Sequence, residues 1–123
     1  MTITGFQPLI VSQNADALIR LFEDLGFEKD HEKKGLNDQD ISNVTMKDAR
    51  GNRVDITKGA EVPRDLMAIR MNTDNFPEAF HLLSQYGFRN AQGYRLIQTS
   101  TSTDALMISP SGAAIVLSQH IKK

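Results

Sequence analysis

No cysteine and no tryptophan occur anywhere in the 123 residues. Without cysteine there can be no disulfide, thiolate nucleophile or cysteine-based zinc site. An excess of either charge is also lacking: 14 Lys and Arg stand against 15 Asp and Glu, a net charge of −1. Phosphate backbones are held by clustered basic residues, so nucleic acid is not an expected partner. No apolar run approaches the roughly 18 residues that suggest a membrane span, so a membrane is not expected either. The opening MTITGFQPLIVSQ has no Lys or Arg ahead of its short apolar stretch and no cleavage-like site, so a cytoplasmic location is expected. Gly-rich phosphate loops, His-Glu-x-x-His and Gly-x-Ser-x-Gly are missing as well, which removes the common nucleotide, zincin and serine-hydrolase signatures. What remains is an ordinary globular balance, 40% hydrophobic and 24% charged, in a chain of one domain's length.

The chain carries a weak internal repeat. Shifted by 61 residues, Asn14 falls on Asn75, Leu21 on Leu82, Gly26 on Gly87, Phe27 on Phe88 and Gly51 on Gly112. Each half reads as β-α-β-β-β. In the first, Thr4–Ser12 is a strand, and Asn14 is placed to cap a helix through its side-chain oxygen. Ala15, Leu18, Ile19, Phe22 and Leu25 form that helix's apolar stripe, and Gly26 ends it. Strands follow at 27–33, 41–47 and 53–57. Val44 and Met46 share one face of their strand and Asn43 and Thr45 the other, and Val54 and Ile56 face the helix. In the second half, 66–72 is a strand, Asn75 caps a helix with stripe Ala79, Phe80, Leu83 and Tyr86, and Gly87 ends it. Strands are expected at 93–99, 105–109 and 113–120, with the polar Ser/Thr run 99–103 as a loop. The organisation is a single domain, 1–123, with modules 1–57 and 66–123 and a linker at 58–65.

This order of elements resembles the vicinal oxygen chelate superfamily, which includes glyoxalase I, extradiol dioxygenases and bleomycin-resistance proteins. The resemblance rests on the Leu25-Gly26-Phe27 helix exit, the Gly51-Asn52-Arg53-Val54-Asp55-Ile56 hairpin and their counterparts 61 residues on. It implies an α+β fold of two β-α-β-β-β modules forming a cupped mixed sheet, with helices packed outside and the ligand inside. It also implies metal ligands on the first and fourth strands of each module. Those positions are Phe6 (or Gln7 if the register slips by one), Asp55, Met67 (or Ala68 with the same slip) and Val116. Phe6, Ala68 and Val116 have no lone pair to offer and Met67 only a soft thioether, so no metal site and no cofactor is expected.

The cup-lining candidates are Phe6, Asn43, Arg53, Asp55, Arg70, Asn72, Val116 and His120, with Thr45 beside them. Asp55 reads as a polar group for a ligand amine or hydroxyl, or as an ion-pair partner of Arg53 or Arg70. Arg70 and Asn72 share a strand face with Ala68. In the slipped register that face is the cup, and Arg70 can grip a carboxylate or phosphate with two prongs. His120 sits four residues beyond Val116 on its face, whereas His31 and His81 read as solvated. Phe6, Ile10, Phe88, Tyr94 and Leu96 read as apolar walls, core or dimer contacts. The expected function is metal-free binding of a small amphipathic molecule by a homodimer. The alternatives are a divergent metal-dependent lyase, isomerase or dioxygenase, and a structural or regulatory interaction module.

Overall fold

The computed structural model describes residues 1–33, 42–58, 64–91, 97–98 and 102–120. They form two compact units, one of residues 7–67 and one of residues 1–6 with 68–123.

The first unit contains the latter part of β1 (Ile3–Ser12), then α1 (Ala15–Asp24), β2 (Glu28–Lys33), β3 (Ser42–Lys47) and β4 (Arg53–Lys58). Its strands lie in the order β2-β3-β4-β1, with β1 parallel to β4 and the other pairs antiparallel. The apolar stripe of α1 covers one sheet face: Ala15 and Ile19 are buried against Val44, Met46, Val54 and Ile56, with Leu18 and Phe22 at the margin. Phe27 closes the helix exit by meeting Phe22 edge-on, with ring centres 5.3 Å apart.

The second unit contains the start of β1, most of β5 (Leu66–Thr73), α2 (Phe76–Gln85), the short β6 (Arg89–Asn90) and β7 (Ile97–Gln98), β8 (Ser102–Ile108) and β9 (Ala114–His120). Its order is β5-β9-β8-β6 with β7 also on β8, and β5 is parallel to β9. Phe76 and Ala79 of α2 pack on Ala105, Met107 and Leu117, flanked by Phe80, Leu83 and Phe88. Both units are therefore β-α-β-β-β assemblies with a mixed sheet and a helix on one face. No helix among the described residues is long and apolar enough to cross a membrane.

The 61-residue offset holds at the level of single hydrogen bonds. Asn14 N donates to Ser12 Oγ at 2.9 Å, and Asn75 N to Thr73 Oγ1 at 3.1 Å. In the β3–β4 turn, Asp48 accepts from Asn52 N at 2.8 Å. In the β8–β9 turn, Ser109 Oγ accepts from Ala113 N at 2.9 Å. The Asn52 side-chain amide, with the backbone N–H groups of Asn52, Arg50 and Gly51, holds the Asp48 carboxyl below its ordinary range. A depressed carboxyl stabilises the fold above its unfolded value, and that stabilisation is lost as pH falls through the folded value. Asp48→Ser copies the second turn with a group that does not titrate. It should keep the fold and lessen the drop in Tm between about pH 5 and about pH 3. An undiminished drop would assign the acid sensitivity elsewhere.

Some elements differ from expectation. Asn75 caps α2, its oxygen taking Glu78 N at 3.2 Å while its amide returns a bond to the Glu78 carboxylate at 3.1 Å. Asn14 makes no side-chain cap bond. Three residues on stands Ala17, which has nothing to return, and Asn14's ψ of 44° lies outside the capping range. Leu25 and Tyr86 do not extend the helical stripes. Both follow the last helical turn, 62% and 73% exposed. β8 begins at Ser102, inside the Ser/Thr run expected to be a loop. Residues 59–63 of the linker, residue 41 of the expected strand 41–47, residues 93–96 and 99 of the expected strand 93–99, and with them Tyr94 and Leu96, lie outside the described residues.

Gly26 and Gly87 occupy left-handed positions after their helices, at φ +100° and +87°. A Cβ on Gly26 meets nothing within 4 Å, whereas one on Gly87 would lie 2.9 Å from Pro110 Cγ. Gly26→Ala should cost about 1–2 kcal/mol, the left-handed penalty alone. Gly87→Ala should cost clearly more in urea unfolding, and equal costs would contradict the packing at Pro110.

Candidate functional site

The sheet face of residues 7–67 that points away from α1 is read from strand register, because residues directly opposite each other share a face. One row runs His31, Thr45, Asp55, Leu9; the next pairs Asn43 with Thr57 and Thr57 with Val11; a third joins Glu28, Lys47 and Arg53. Every second residue of β4 on this face, Arg53, Asp55 and Thr57, is polar. Leu9 and Val11 supply an apolar strip along β1, 3% and 0% exposed.

Asp55 is fully buried, and three side-chain donors converge on it. Gln7 Nε2 donates to Oδ2 at 2.5 Å, while Thr45 Oγ1 and, at 3.4 Å, Asn43 Nδ2 donate to Oδ1. Behind Asn43, Thr57 Oγ1 donates to its amide oxygen at 2.7 Å. The chain of donors runs one way, from Thr57 through Asn43 to the carboxylate. A buried carboxylate supplied with this many hydrogen bonds fixes the rotamers of its neighbours. Half-buried Gln7 has its amide oxygen and second N–H left to present outward.

Arg53 is held differently from its expected pairing with Asp55. Its Nη1 meets Asp30 Oδ2 at 2.9 Å. Asp30 reaches it because the β2–β3 register shifts between Lys29 and His31, a bulge that re-aims one side chain. Asp30 and Lys47 also border a cleft of about 430 Å³, walled with Glu28, Lys29 and Asp48. The cleft is therefore charged and adjoins the Arg53 end of the face.

The first-strand alternative resolves to Gln7. Leu9 pairs with Asp55, so Gln7 shares that face, and Phe6 points to the other side, 64% exposed. On β5, Ala68 shares a face with Arg70 and Asn72, and Met67, on the opposite side, is 73% exposed. Arg70 lies opposite Val116, Asn72 opposite Ser118, and His120 opposite Ser102, so Arg70, Asn72, Val116 and His120 occupy one face of the second unit. Ile10 and Phe88 pack against the helix-side cores instead of walling a site. Sequence reasoning missed Thr57, Leu9 and Val11 in the first unit and Asp104 and Ser118 in the second. Period-two alternation through β4 and β1 marks the first three. The 61-residue offset marks the last two, as counterparts of Asn43 and Thr57.

The metal positions implied by the resemblance do not fit a metal. Ala68 and Val116 carry no donor atom, and the Asp55 oxygens already take Gln7, Thr45 and Asn43. Among the described residues, no group of three or more His, Cys, Asp and Glu side chains is placed to hold an ion.

No protein-family model matches the chain, and no curated sequence does. Solved structures do. Methylmalonyl-CoA epimerase from Mycobacterium tuberculosis matches with a TM-score of 0.66 at 17% identity, over 98% of this chain and 90% of that one. A glyoxalase/bleomycin resistance protein/dioxygenase superfamily member from Vibrio splendidus 12B01 matches at 0.60 and 17%, over 96% and 99%. Streptomyces coelicolor methylmalonyl-CoA epimerase matches at 0.63 and 14%, over 98% and 100%. All three likenesses are of fold and run nearly the full length of the chain. The chain has the fold of the vicinal oxygen chelate superfamily.

Proposed function

We propose that the chain is a metal-free binding protein for a small amphipathic molecule, held on the Asp55 face of residues 7–67. The observation that carries this reading is the convergence of Gln7, Thr45 and Asn43 on a fully buried carboxylate, on the sheet face opposite α1. Small-molecule sites combine apolar walls with a few fixed polar groups. Here Leu9 and Val11 supply the apolar strip, and Gln7 and Arg53 the outward polar atoms. The adjoining cleft, at about 430 Å³, lies within the usual range for such ligands. In this reading Asp55 is a positioning residue that orders the side chains touching the ligand.

The matched epimerase structures favour a second reading, a divergent lyase, isomerase or dioxygenase. Epimerisation removes and returns a proton beside a carbonyl, which exchange in heavy water detects. Purified without chelator, the protein should hold less than about 0.1 metal ion per chain. It should not speed loss of the C2 proton signal of methylmalonyl-CoA in deuterium oxide, with or without added Mn, Co, Ni or Zn. Metal-dependent exchange, or a metal bound near one per chain, would replace the binding reading with the enzymatic one.

The working form in this reading is a cytoplasmic homodimer. Its support is the exposure of Phe6, Leu25, Met67 and Tyr86, large apolar side chains left open on a single chain. Light scattering should give twice the 13.7 kDa chain mass. A monomer at micromolar concentration would remove this part of the proposal.

A further inference from the structure

We infer that the charged cleft beside Arg53 seats the head group of a zwitterion, which, on the binding reading above, is the polar end of the amphipathic ligand. Its carboxylate meets Lys29 and Lys47, and its ammonium meets Glu28. All three side chains border the open cleft of about 430 Å³.

The cleft lies where the β2–β3 ladder ends. Glu28 and Lys47 are the last pair of that ladder. Beyond them stand the α1 exit at Gly26 and the turn at Asp48 and Ala49, which complete the walls. At the end of a ladder, side chains from both faces of a strand can reach one space. Glu28 comes from the Asp55 face, and Lys29, opposite Met46, from the helix face. The bulge between Lys29 and His31 adds Asp30. A Cβ on Gly26 would meet nothing within 4 Å, so the space beside the helix exit is open. Glu28, Lys29, Asp30 and Lys47 are all exposed, so a ligand can reach them.

Two of the wall charges are already engaged. Asp30 is paired with Arg53 at 2.9 Å. Asp48 accepts from Arg50 N at 2.9 Å and from Asn52 N and Nδ2, both at 2.8 Å. Glu28, Lys29 and Lys47 make no ion pair and no side-chain hydrogen bond among the described residues. Glu28 and Lys47 stand directly opposite each other and still do not close into a pair. One carboxylate and two ammonium groups are thus left to a ligand. A simple anion would bring its charge beside Glu28, Asp30 and Asp48. A simple cation would bring its charge beside Lys29, Lys47 and Arg53. At such short range salt screens neither repulsion fully. A zwitterion gives each unspent group an opposite charge and adds no net charge. Its carboxylate can accept from both lysines, and its ammonium has three N–H groups to donate.

The test is titration of 15N-labelled protein with β-alanine, sodium propionate and ethylammonium chloride at matched ionic strength. β-Alanine should move the backbone amides of Glu28, Lys29, Lys47 and Asp48 along saturable curves. Its half-saturation should lie at least about fivefold below that of either single-charge compound, the upper worth of one exposed ion pair. Glu28→Gln should erase the preference for β-alanine over propionate. Lys47→Gln should weaken both. Shifts that grow without saturating, equal response to propionate or ethylammonium, or a preference that survives Glu28→Gln would overturn the assignment. The three-compound comparison on the native protein decides the matter even where a variant does not fold. Gln7 and Asn43 side-chain signals report the Asp55 face separately. An amphipathic binder that moves them, while β-alanine leaves the cleft amides still, would strike the cleft and keep the reading above. β-Alanine saturating the cleft, with no binder moving Gln7 or Asn43, would keep the cleft and strike that reading.

Discussion

Asp55→Ala should lower unfolding free energy by about 3 kcal/mol, since buried groups that lose a charged hydrogen-bond partner cost about 1–3 kcal/mol each. Gln7, Thr45 and Asn43 all point at the lost carboxylate, and Asn43 and Thr45 are only 7% exposed, so water cannot easily replace it. A protein of this size has about 5–15 kcal/mol in total, so the loss is large. Asp55→Asn should fall between the wild type and alanine, because its oxygen serves one donor while its NH2 opposes another. Thr45→Val should cost about 1–2 kcal/mol, and Thr45→Ser less, since serine keeps the hydroxyl. Urea unfolding followed by circular dichroism measures all four. An alanine variant within about 0.5 kcal/mol of wild type, the range of an ordinary surface substitution, would mean that the network is not a structural hub.

The second large effect concerns the cores beneath the two helices. Met46 and Met107 stand 61 residues apart, each fully buried, one in each unit's cluster. Met46→Ala and Met107→Ala should each cost about 2–5 kcal/mol, the methylene transfer plus the cavity left behind. The corresponding leucine variants should cost less than about 1.5 kcal/mol, because volume is nearly conserved. The two methionines belong to clusters with no shared member, so the double alanine variant should be additive within about 0.5 kcal/mol. Strong coupling, or one neutral site, would contradict two equivalent and separate cores.

The sequence carried much of this organisation in plain sight. Val44, Met46, Val54 and Ile56 alternate with polar residues, and Ala15, Ile19 and Phe22 recur at helical spacing. These patterns identify the faces that meet in the first core. The same alternation marks Asn43, Thr45 and Asp55 as one polar face. Strand register was not legible. Counting back from Gly26 reaches β1 only within one residue, and a one-residue slip exchanges faces, so Phe6 and Gln7 compete until Leu9 is seen opposite Asp55. Arg53's partner could not be read either, because Asp30 reaches it only through a bulge, which has no reliable sequence signal. Asp104 was hidden in a Ser/Thr-rich stretch whose polarity suggests a loop. It is strand because Ser102 and Asp104 face the polar side while Ala105 and Met107 pack under α2.

The Asp55 face is proposed as a binding surface that works without a metal. The most direct measurement is a 15N-resolved NMR screen of chelator-treated protein against a library of small amphipathic molecules. Saturable binding should move the side-chain NH2 signals of Gln7 and Asn43 and the backbone amides of Thr45, Asp55 and Thr57 together. Binders that leave these signals unmoved, or that act only after a divalent metal is restored, would contradict it.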